Sequence, residues 1–455
     1  MTNTTPPTAR FIAAETLCKL FRTRTSIKIL FDRKIQKNNL PARDRNLAMN
    51  LIYGVLRQKQ TLDEFLSGVS RTPLKKIDPF IHQTLSVGLY QIFFLERIPR
   101  SAIVNEAVNS CRYKRIPQRL HGFVNGILRE TIRRLEKDPS LTLPDTDKNG
   151  NPIHNHPDWL VKRWSNTFGM EETARICREN NREPCLVLRV NCCRISPADY
   201  SRKLREASIP HQPGMFSTAS LVLPDFHGQI RSLPGFDAGY FQVQDEAAQL
   251  VTLLLGPLKK DGLYLDGCAG LGGKTAHLAE RGIQHNLEIH CVEPDSRRLS
   301  LLRDNVKRLS GDNRLHAHQM GLEDFPGDNN RLYDGVLIDA PCSGTGVTGR
   351  HPDIRWNRRE EEIAEYSRRQ LALLKTAADL TAPGGILVYT TCSLEPEENE
   401  EVIRSFLTTH PAFILTDCRD QLPEPAQKLV KNGFFQPHPA MTIDGFFGAR
   451  LQKQG

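Results

Sequence analysis

Apolar residues recur at three- and four-residue intervals through the first third of the chain. Phe11, Ala14, Leu17 and Phe21 form one stripe, with Glu15 and Lys19 off it, and Leu51, Val55 and Leu62, then Leu85, Leu89 and Phe93, form others. This is the period of helices buried along one face. No convincing alternating strand interrupts it between residues 8 and 136. Residues 137–157, KDPSLTLPDTDKNGNPIHNHP, collect Pro, Asn, Asp and Gly and read as a linker. From there to about residue 240 short pieces alternate, helical over 171–178, strand-like over 185–190 and helical over 197–207. From residue 262 onward, regular strand–loop–helix units imply a doubly wound, largely parallel sheet. The expected organisation is an all-α domain over 1–140, a small α+β module over 155–238 and an α/β, Rossmann-like domain over 239–455.

The longest nearly uninterrupted apolar stretches, such as 250–258, fall far short of the roughly 20 residues a bilayer span needs. The first residues lack a basic segment followed by an apolar one and a small-residue cleavage site. A non-exported, cytoplasmic protein without a membrane partner is expected. With 455 residues, 39% hydrophobic and 25% charged, the chain has ordinary globular composition and room for about three domains.

Charge becomes informative once located. Residues 1–150 hold 26 Lys and Arg against 13 Asp and Glu, a net of +13, whereas the whole chain is +9 and the remainder therefore −4. A basic module joined to a near-neutral one suggests polyanion binding by the first third, although solvated helix faces would give the same count. The 11 cysteines include no CxxC pair, and Cys192 and Cys193 are adjacent. That speaks against both a zinc site and a disulfide framework, and for reduced thiols.

Residues 262–280, GLYLDGCAGLGGKTAHLAE, describe a strand, a glycine-rich turn and a helix. Gly267, Gly270, Gly272 and Gly273 would let backbone amides approach a ligand at a helix N-terminus. The Gly-Lys-Thr at 273–275 lacks P-loop spacing, because Gly267 precedes Gly273 by six positions rather than five. The next strand, EIHCVEP (288–294), ends in Glu293, placed to accept hydrogen bonds from both ribose hydroxyls of an adenosine cofactor. Loop and acid suit NAD and S-adenosylmethionine equally.

Two further strands decide between them. DGVLIDAPCSGTG (334–346) carries Asp339 and Cys342 at its end, and GGILVYTTCS (384–393) carries Cys392. A single strand-end cysteine is more often an inert buried thiol. Two on the rim that bears the glycine loop, with a carboxylate, point to covalent catalysis. Carbon 5 of cytosine is too electron-poor to attack a methyl donor unaided. A thiolate adding to carbon 6 makes carbon 5 nucleophilic, and an acid near ring N3, here Asp339, stabilises the adduct. Hydride transfer needs none of this.

DAPCSGTG (339–346), RHPDIRW (350–356), TTCSLEPEENE (390–400), GYFQVQDEAAQLV (239–251) and DGFF (444–447) resemble the Sun/Fmu-type RNA (cytosine-5) methyltransferases, over nearly the whole chain. The resemblance implies a class I S-adenosylmethionine-dependent methyltransferase domain, with Cys392 as nucleophile and Cys342 assisting product release. It places the cofactor on Cys268, Ala269, Gly270, Leu271, Gly272, Gly273 and Lys274, with Glu293, Gly321 and Asp339. RDRNLAMNLIYGVLR (43–57), GLYQIFFLERIP (88–99) and FVNGILRE (123–130) look like the RNA-binding NusB domain. PDWLVKRW (157–164) and LVLRVN (186–191) look like the family's middle RNA-contacting module. That combination resembles the bacterial enzyme acting on 16S rRNA rather than tRNA members. Two departures stand out. The family loop is usually CAAPGGKT, whereas this chain has CAGLGGKT (268–275). The acid usual after the third strand aligns with Gly321, followed by Glu323 and Asp324.

Other classes fit less well. A DNA cytosine-5 methyltransferase would use the Pro-Cys thiol as nucleophile and carry a target-recognition segment near its C-terminus. Here the basic domain lies at the other end. A non-catalytic RNA-binding or assembly factor would have no need of Cys342, Cys392 and Asp339 together.

Overall fold

Helical stripes in the first third close on one another because each buries its apolar face only against its neighbours. In the computed structural model, which describes residues 8–38, 40–311, 314–328 and 331–455, α1 (Ala9–Thr23) begins at Thr8, whose hydroxyl accepts from Phe11 N. It is followed by α2 (Ile27–Asn38), α3 (Ala42–Arg57) and α4 (Lys59–Val69). Asp78 caps α5 (Pro79–Phe94) by accepting from Phe80 N and Ile81 N at 2.9 and 3.1 Å. Helix α5 is apolar on nearly every side, and Ile81, Leu85 and Leu89 are fully buried among the helices around it. Then come α6 (Arg100–Tyr113) and α7 (Gln118–Lys137), and, after the linker, α8 (Asp158–Phe168) and α9 (Met170–Asn181).

The described residues up to 183 form one compact unit that also takes in residues 348–358; the described residues of 184–347 and 359–455 form the second. Residues 155–238 thus contribute to both. The RHPDIRW segment belongs to the helical unit, where it is structural. Arg355 is fully buried and donates to Asn155 O, Asn180 O, Asn181 Oδ1 and Thr348 O. Trp356 donates to Leu56 O, and Asp353 accepts from Ile27 N.

The second unit opens with β1 (Leu186–Val190), α10 (Pro197–Glu206), β2 (Gln212–Pro213), β3 (Ser220–Leu223) and β4 (Phe241–Val243). Their strands make an antiparallel sheet in the order β2-β3-β1-β4. After α11 (Glu246–Val251) the α/β core begins: β5 (Leu263–Asp266), α12 (Gly273–Gly282), β6 (Glu288–Val292), α13 (Ser296–Ser310), β7 (Leu315–His318) and β8 (Tyr333–Asp339). The chain then passes through α14 (Asp353–Asn357) of the first unit before α15 (Glu362–Leu380), β9 (Thr381–Thr391), α16 (Glu400–Thr409), β10 (Phe413–Thr416), α17 (Glu424–Gln427), β11 (Val430–Lys431), β12 (Phe434–Phe435) and β13 (Phe447–Lys453).

The large sheet runs β11-β12-β13-β9-β8-β5-β6-β7, with β10 on β13. Strands β5 to β9 pair in parallel, as expected from the repeated strand–helix units, but β13 lies antiparallel to β9 and makes the sheet mixed. β12 and β13, joined without a helix, also pair antiparallel. Strand order reverses between β5 and β8, so the loops after those two strands diverge and leave a crevice at their carboxyl ends. The small sheet is anchored to the core by Arg189 of β1, fully buried, which donates to Gln244 Oε1 and Gly273 O and pairs with Glu280 of α12. Among the described residues no helix is long and apolar enough to cross a membrane.

Candidate active site

Strand β5 delivers the glycine-rich loop to the crevice. Asp266 at its end is fully buried; Oδ2 accepts from Thr275 Oγ1 at 2.7 Å and so ties the loop to α12. Burial pushes this carboxyl up to about 6. Gly267 N donates to Leu337 O, Ala269 N to Val292 O and Gly272 N to Ala269 O, which folds 267–272 tightly. Gly272 has φ +80, and a Cβ there would lie 2.6 Å from Leu302 Cγ, so both backbone and space demand glycine. Gly270 has φ +56, and a Cβ built on it meets nothing within 4 Å. The loop's outer side is therefore open at Gly270, while no side chain caps the start of α12.

Glu293 follows β6. Its carboxylate is nearly buried, and Oε1 accepts from Asp295 N at 2.8 Å, which holds the side chain in its own turn. Gly321 follows β7. A Cβ at Gly321 would meet Glu323 Oε2 at 3.0 Å and Asp324 Oδ2 at 3.7 Å. The Glu323 carboxylate thus occupies the space from which a side chain at 321 would project.

Strands β8 and β9 are paired neighbours, with Asp339 opposite Thr390, and their ends carry the two thiols. Cys342 Sγ lies 3.2 Å from Cys392 Sγ. The Cys342 thiol is pushed well up by its hydrogen bond to Cys392 and by burial. Asp339 Oδ2 accepts from Lys274 Nζ at 2.7 Å, and its Oδ1 from Thr390 Oγ1 at 3.1 Å. Burial opposes the charge on Lys274, but Asp339, with Asp266 and Cys392, outweighs it and raises the ammonium. That ammonium also lies 5.2 Å from the centre of the Phe446 ring in the DGFF segment. Cys268, Ala269, Gly270, Leu271, Gly272, Gly273 and Lys274 thus share one rim with Asp339, Cys342 and Cys392.

A buried carboxylate that sequence reasoning did not single out joins the two cysteine loops. Glu398 Oε2 accepts from Ser343 N at 2.8 Å and from Gln370 Nε2 at 2.9 Å, while Oε1 accepts from Ser393 Oγ at 2.7 Å. Ser343 and Ser393 hydroxyls lie 3.1 Å apart, and Gly346 N donates to Cys392 O. Each cysteine's following residue is therefore held by the same anion. The available signal was the acidic run after the TCS motif, where an acid three or more residues beyond a strand end can fold back onto it.

The family described as 16S rRNA methyltransferase RsmB/F matches residues 252–452, the NusB family residues 7–133, and the ferredoxin-like domain of RsmF/B-like methyltransferases residues 156–227. A probable ribosomal RNA small subunit methyltransferase B from Bacillus subtilis (strain 168) is 34% identical, over 98% of this chain and 99% of its own. The chain belongs to the RsmB/F methyltransferase family. A ribosomal RNA small subunit methyltransferase B of Vibrio cholerae is 36% identical over 92% of this chain and 93% of its own. The crystal structure of PH0851 superposes with a TM-score of 0.75 at 26% identity and covers 99% of both chains.

Membership makes this chain an S-adenosylmethionine-dependent RNA methyltransferase, with a helical NusB domain, a ferredoxin-like module and a Rossmann-like catalytic domain. The crevice suits that cofactor. A loop open at Gly270, an uncapped helix start and the anchored acid Glu293 are the donors and acceptor an adenosine with a charged tail needs.

Proposed function

We propose that this RsmB/F protein methylates carbon 5 of a cytosine in 16S rRNA through a covalent adduct with Cys392. The observation that carries the reading is the 3.2 Å approach of Cys342 and Cys392 beside the Lys274–Asp339 pair. Two thiols this close share their protons unequally. Burial and the hydrogen bond push the Cys342 thiol up, and the Lys274 ammonium lies close to the pair. The two cysteines are equivalent in strand position, and it is the family resemblance that gives the nucleophile's role to Cys392.

The bound S-adenosylmethionine supplies an electrophilic methyl group. Residues 268–274 and Glu293 would hold it, and Glu323, whose carboxylate fills the space beside Gly321, would stand in for the acid the family carries at that position. The target cytosine leaves its stack to reach the thiols. Cys392 sulfur bonds to carbon 6, the 5,6 double-bond electrons move toward N3, and N3 takes a proton that the Lys274 ammonium passes through Asp339. Carbon 5 then takes the methyl group. Cys342, once it has passed its own proton to solvent, takes the carbon-5 proton; the electrons of that C–H bond rebuild the 5,6 double bond and expel Cys392 as a thiolate. Glu398 keeps the two loops in register.

We assign RNA affinity to the basic residues of 1–140, contacts nearer the target to 155–238, and chemistry to 239–455, in the cytoplasm where ribosomal RNA is made. The test is methyl transfer from labelled S-adenosylmethionine to 16S rRNA, unmodified 30S particles and tRNA by the purified full chain, with base-resolution mapping. A 5-methylcytosine in 16S rRNA is expected. Label at another atom, or in tRNA alone, would overturn the assignment.

A further inference from the structure

Four polar side chains on one face of β6 and β7 have no part in the methyl-transfer crevice. Strands β6 and β7 are parallel neighbours at the sheet edge, and His290 lies directly opposite His316. Glu288 and His318 stand two positions from them, so all four share that face. Glu288 Oε1 lies 3.5 Å from His290 Nε2 and 3.4 Å from His316 Nε2. The three atoms fall within 4.8 Å of one another. Glu288 and His290 stand at the first and third positions of β6, towards the end of the sheet opposite the cofactor loop.

We propose that Glu288, His290 and His316 form a binding site for a first-row divalent cation, with zinc as the favoured ion. Three further features support this. His290 is only 4% exposed, yet its Nε2 has no hydrogen-bond partner among the described residues. A buried polar atom left in that state is costly unless something binds it. His318 Nε2 lies 3.3 Å from His290 Nδ1, so a proton on Nδ1 directed at His318 leaves the Nε2 lone pair facing Glu288 and His316. This is the outer-shell arrangement that orients metal-bound imidazoles. Finally, Glu288 Oε2 is held by Arg331 at 3.1 Å, with Arg314 at 3.8 Å, which leaves Oε1 to the two rings.

The two arginines also set the choice of ion. They already compensate the carboxylate charge, so magnesium or calcium, which depend on anionic oxygens, gain little here. Zinc, nickel and copper bond through imidazole nitrogen and fit two rings and one oxygen, with water completing the shell. Cysteine spacing could not reveal this site, because the ligands come from two strands paired only in the folded sheet.

The experiment titrates zinc chloride into chelator-treated, untagged full chain by calorimetry. Cobalt(II) spectra in parallel distinguish imidazole and carboxylate ligation from binding at the thiols. One equivalent bound, with cobalt d–d bands and no thiolate charge-transfer band, is expected. His316→Ala, at a half-exposed ring, should weaken that equivalent at least tenfold. Glu288→Gln, nearly isosteric, should weaken it as well. A wild-type chain that binds no equivalent, a thiolate-type cobalt spectrum, or unchanged affinity in both variants would overturn the site. Methyl transfer is measured separately, so none of these outcomes bears on the proposed reaction.

Discussion

Cys342 Sγ and Cys392 Sγ stand 3.2 Å apart at the ends of adjacent parallel strands, although 50 positions separate them in the chain. Sulfur atoms at that distance cannot both carry charge cheaply. The Cys342 thiol is pushed up by its neighbour and by burial, and the family resemblance gives the attack on carbon 6 to Cys392.

Cys392→Ala should therefore abolish both methyl transfer and covalent attachment to RNA. Cys342→Ala should still attack and methylate, then stall with RNA bound through a thioether. Denaturing electrophoresis in the presence of S-adenosylmethionine should show an RNA-linked band for the Cys342 variant only. The reverse pattern would exchange the two roles.

Glu398→Gln should loosen both cysteine loops. A neutral amide oxygen would accept more weakly from Ser343 N and Gln370 Nε2 than the carboxylate does, and its NH2 would replace the acceptor now facing Ser393 Oγ. A loss of about 1.5–3 kcal/mol in stability follows from weakening charge-assisted hydrogen bonds. A fall in kcat with little change in KM for S-adenosylmethionine should accompany it, because the side-chain partners of Glu398 are Ser343, Ser393 and Gln370 and none is in the cofactor loop. An unchanged kcat would reduce it to a packing role.

Glu293→Ala should weaken S-adenosylmethionine binding by about 1–3 kcal/mol, the cost of unmade hydrogen bonds to a charged acceptor. Glu323→Gln should cost less, since its amide oxygen still accepts. Calorimetry on the full chain checks both, and equal affinity for wild type and the Glu293 variant would remove the ribose assignment.

Arg43, Arg45, Arg112 and Arg115 are exposed in the helical unit. Changing all four to Gln should lower RNA affinity and reduce the slope of log K against log salt by up to about four. Substitution is the sounder test than deletion of residues 1–136, because residues 348–358 pack in that unit through Ile27 N and Leu56 O. An unaltered slope would make the +13 a solvated surface.

Asp266 provides a pH signature. Its folded value, about 6, lies above the ordinary 3.8 because burial disfavours the charge. The folded state thus binds more protons between the two values, and stability from this group is full below about pH 4 and lost as pH rises through 6. Over that window the loss approaches about 3 kcal/mol. Asp266→Asn should gain on wild type by up to that amount between pH 4 and 7, read as the difference in urea midpoints. A constant difference across the range would show that Asp266 does not titrate there.

Local chemistry determined much of this protein. Helical stripes, a strand-to-glycine turn and apolar strands ending in Cys342 and Cys392 are read from neighbours in the chain, where periodicity and φ preferences act. The crevice followed from strand–helix repetition, since parallel pairing puts the strand ends on one rim. Tertiary structure decided what depends on distant partners. Arg355 in the RHPDIRW segment packs into the helical unit, not the catalytic one, because its acceptors are Asn155, Asn180 and Asn181 together with its own Thr348. Glu398 became visible only once its backbone turn brought it between Ser343 and Ser393. Glu288, His290 and His316 came together only through the register of β6 on β7. A one-residue slip of that register would turn His316 to the other face, and no local pattern encodes it.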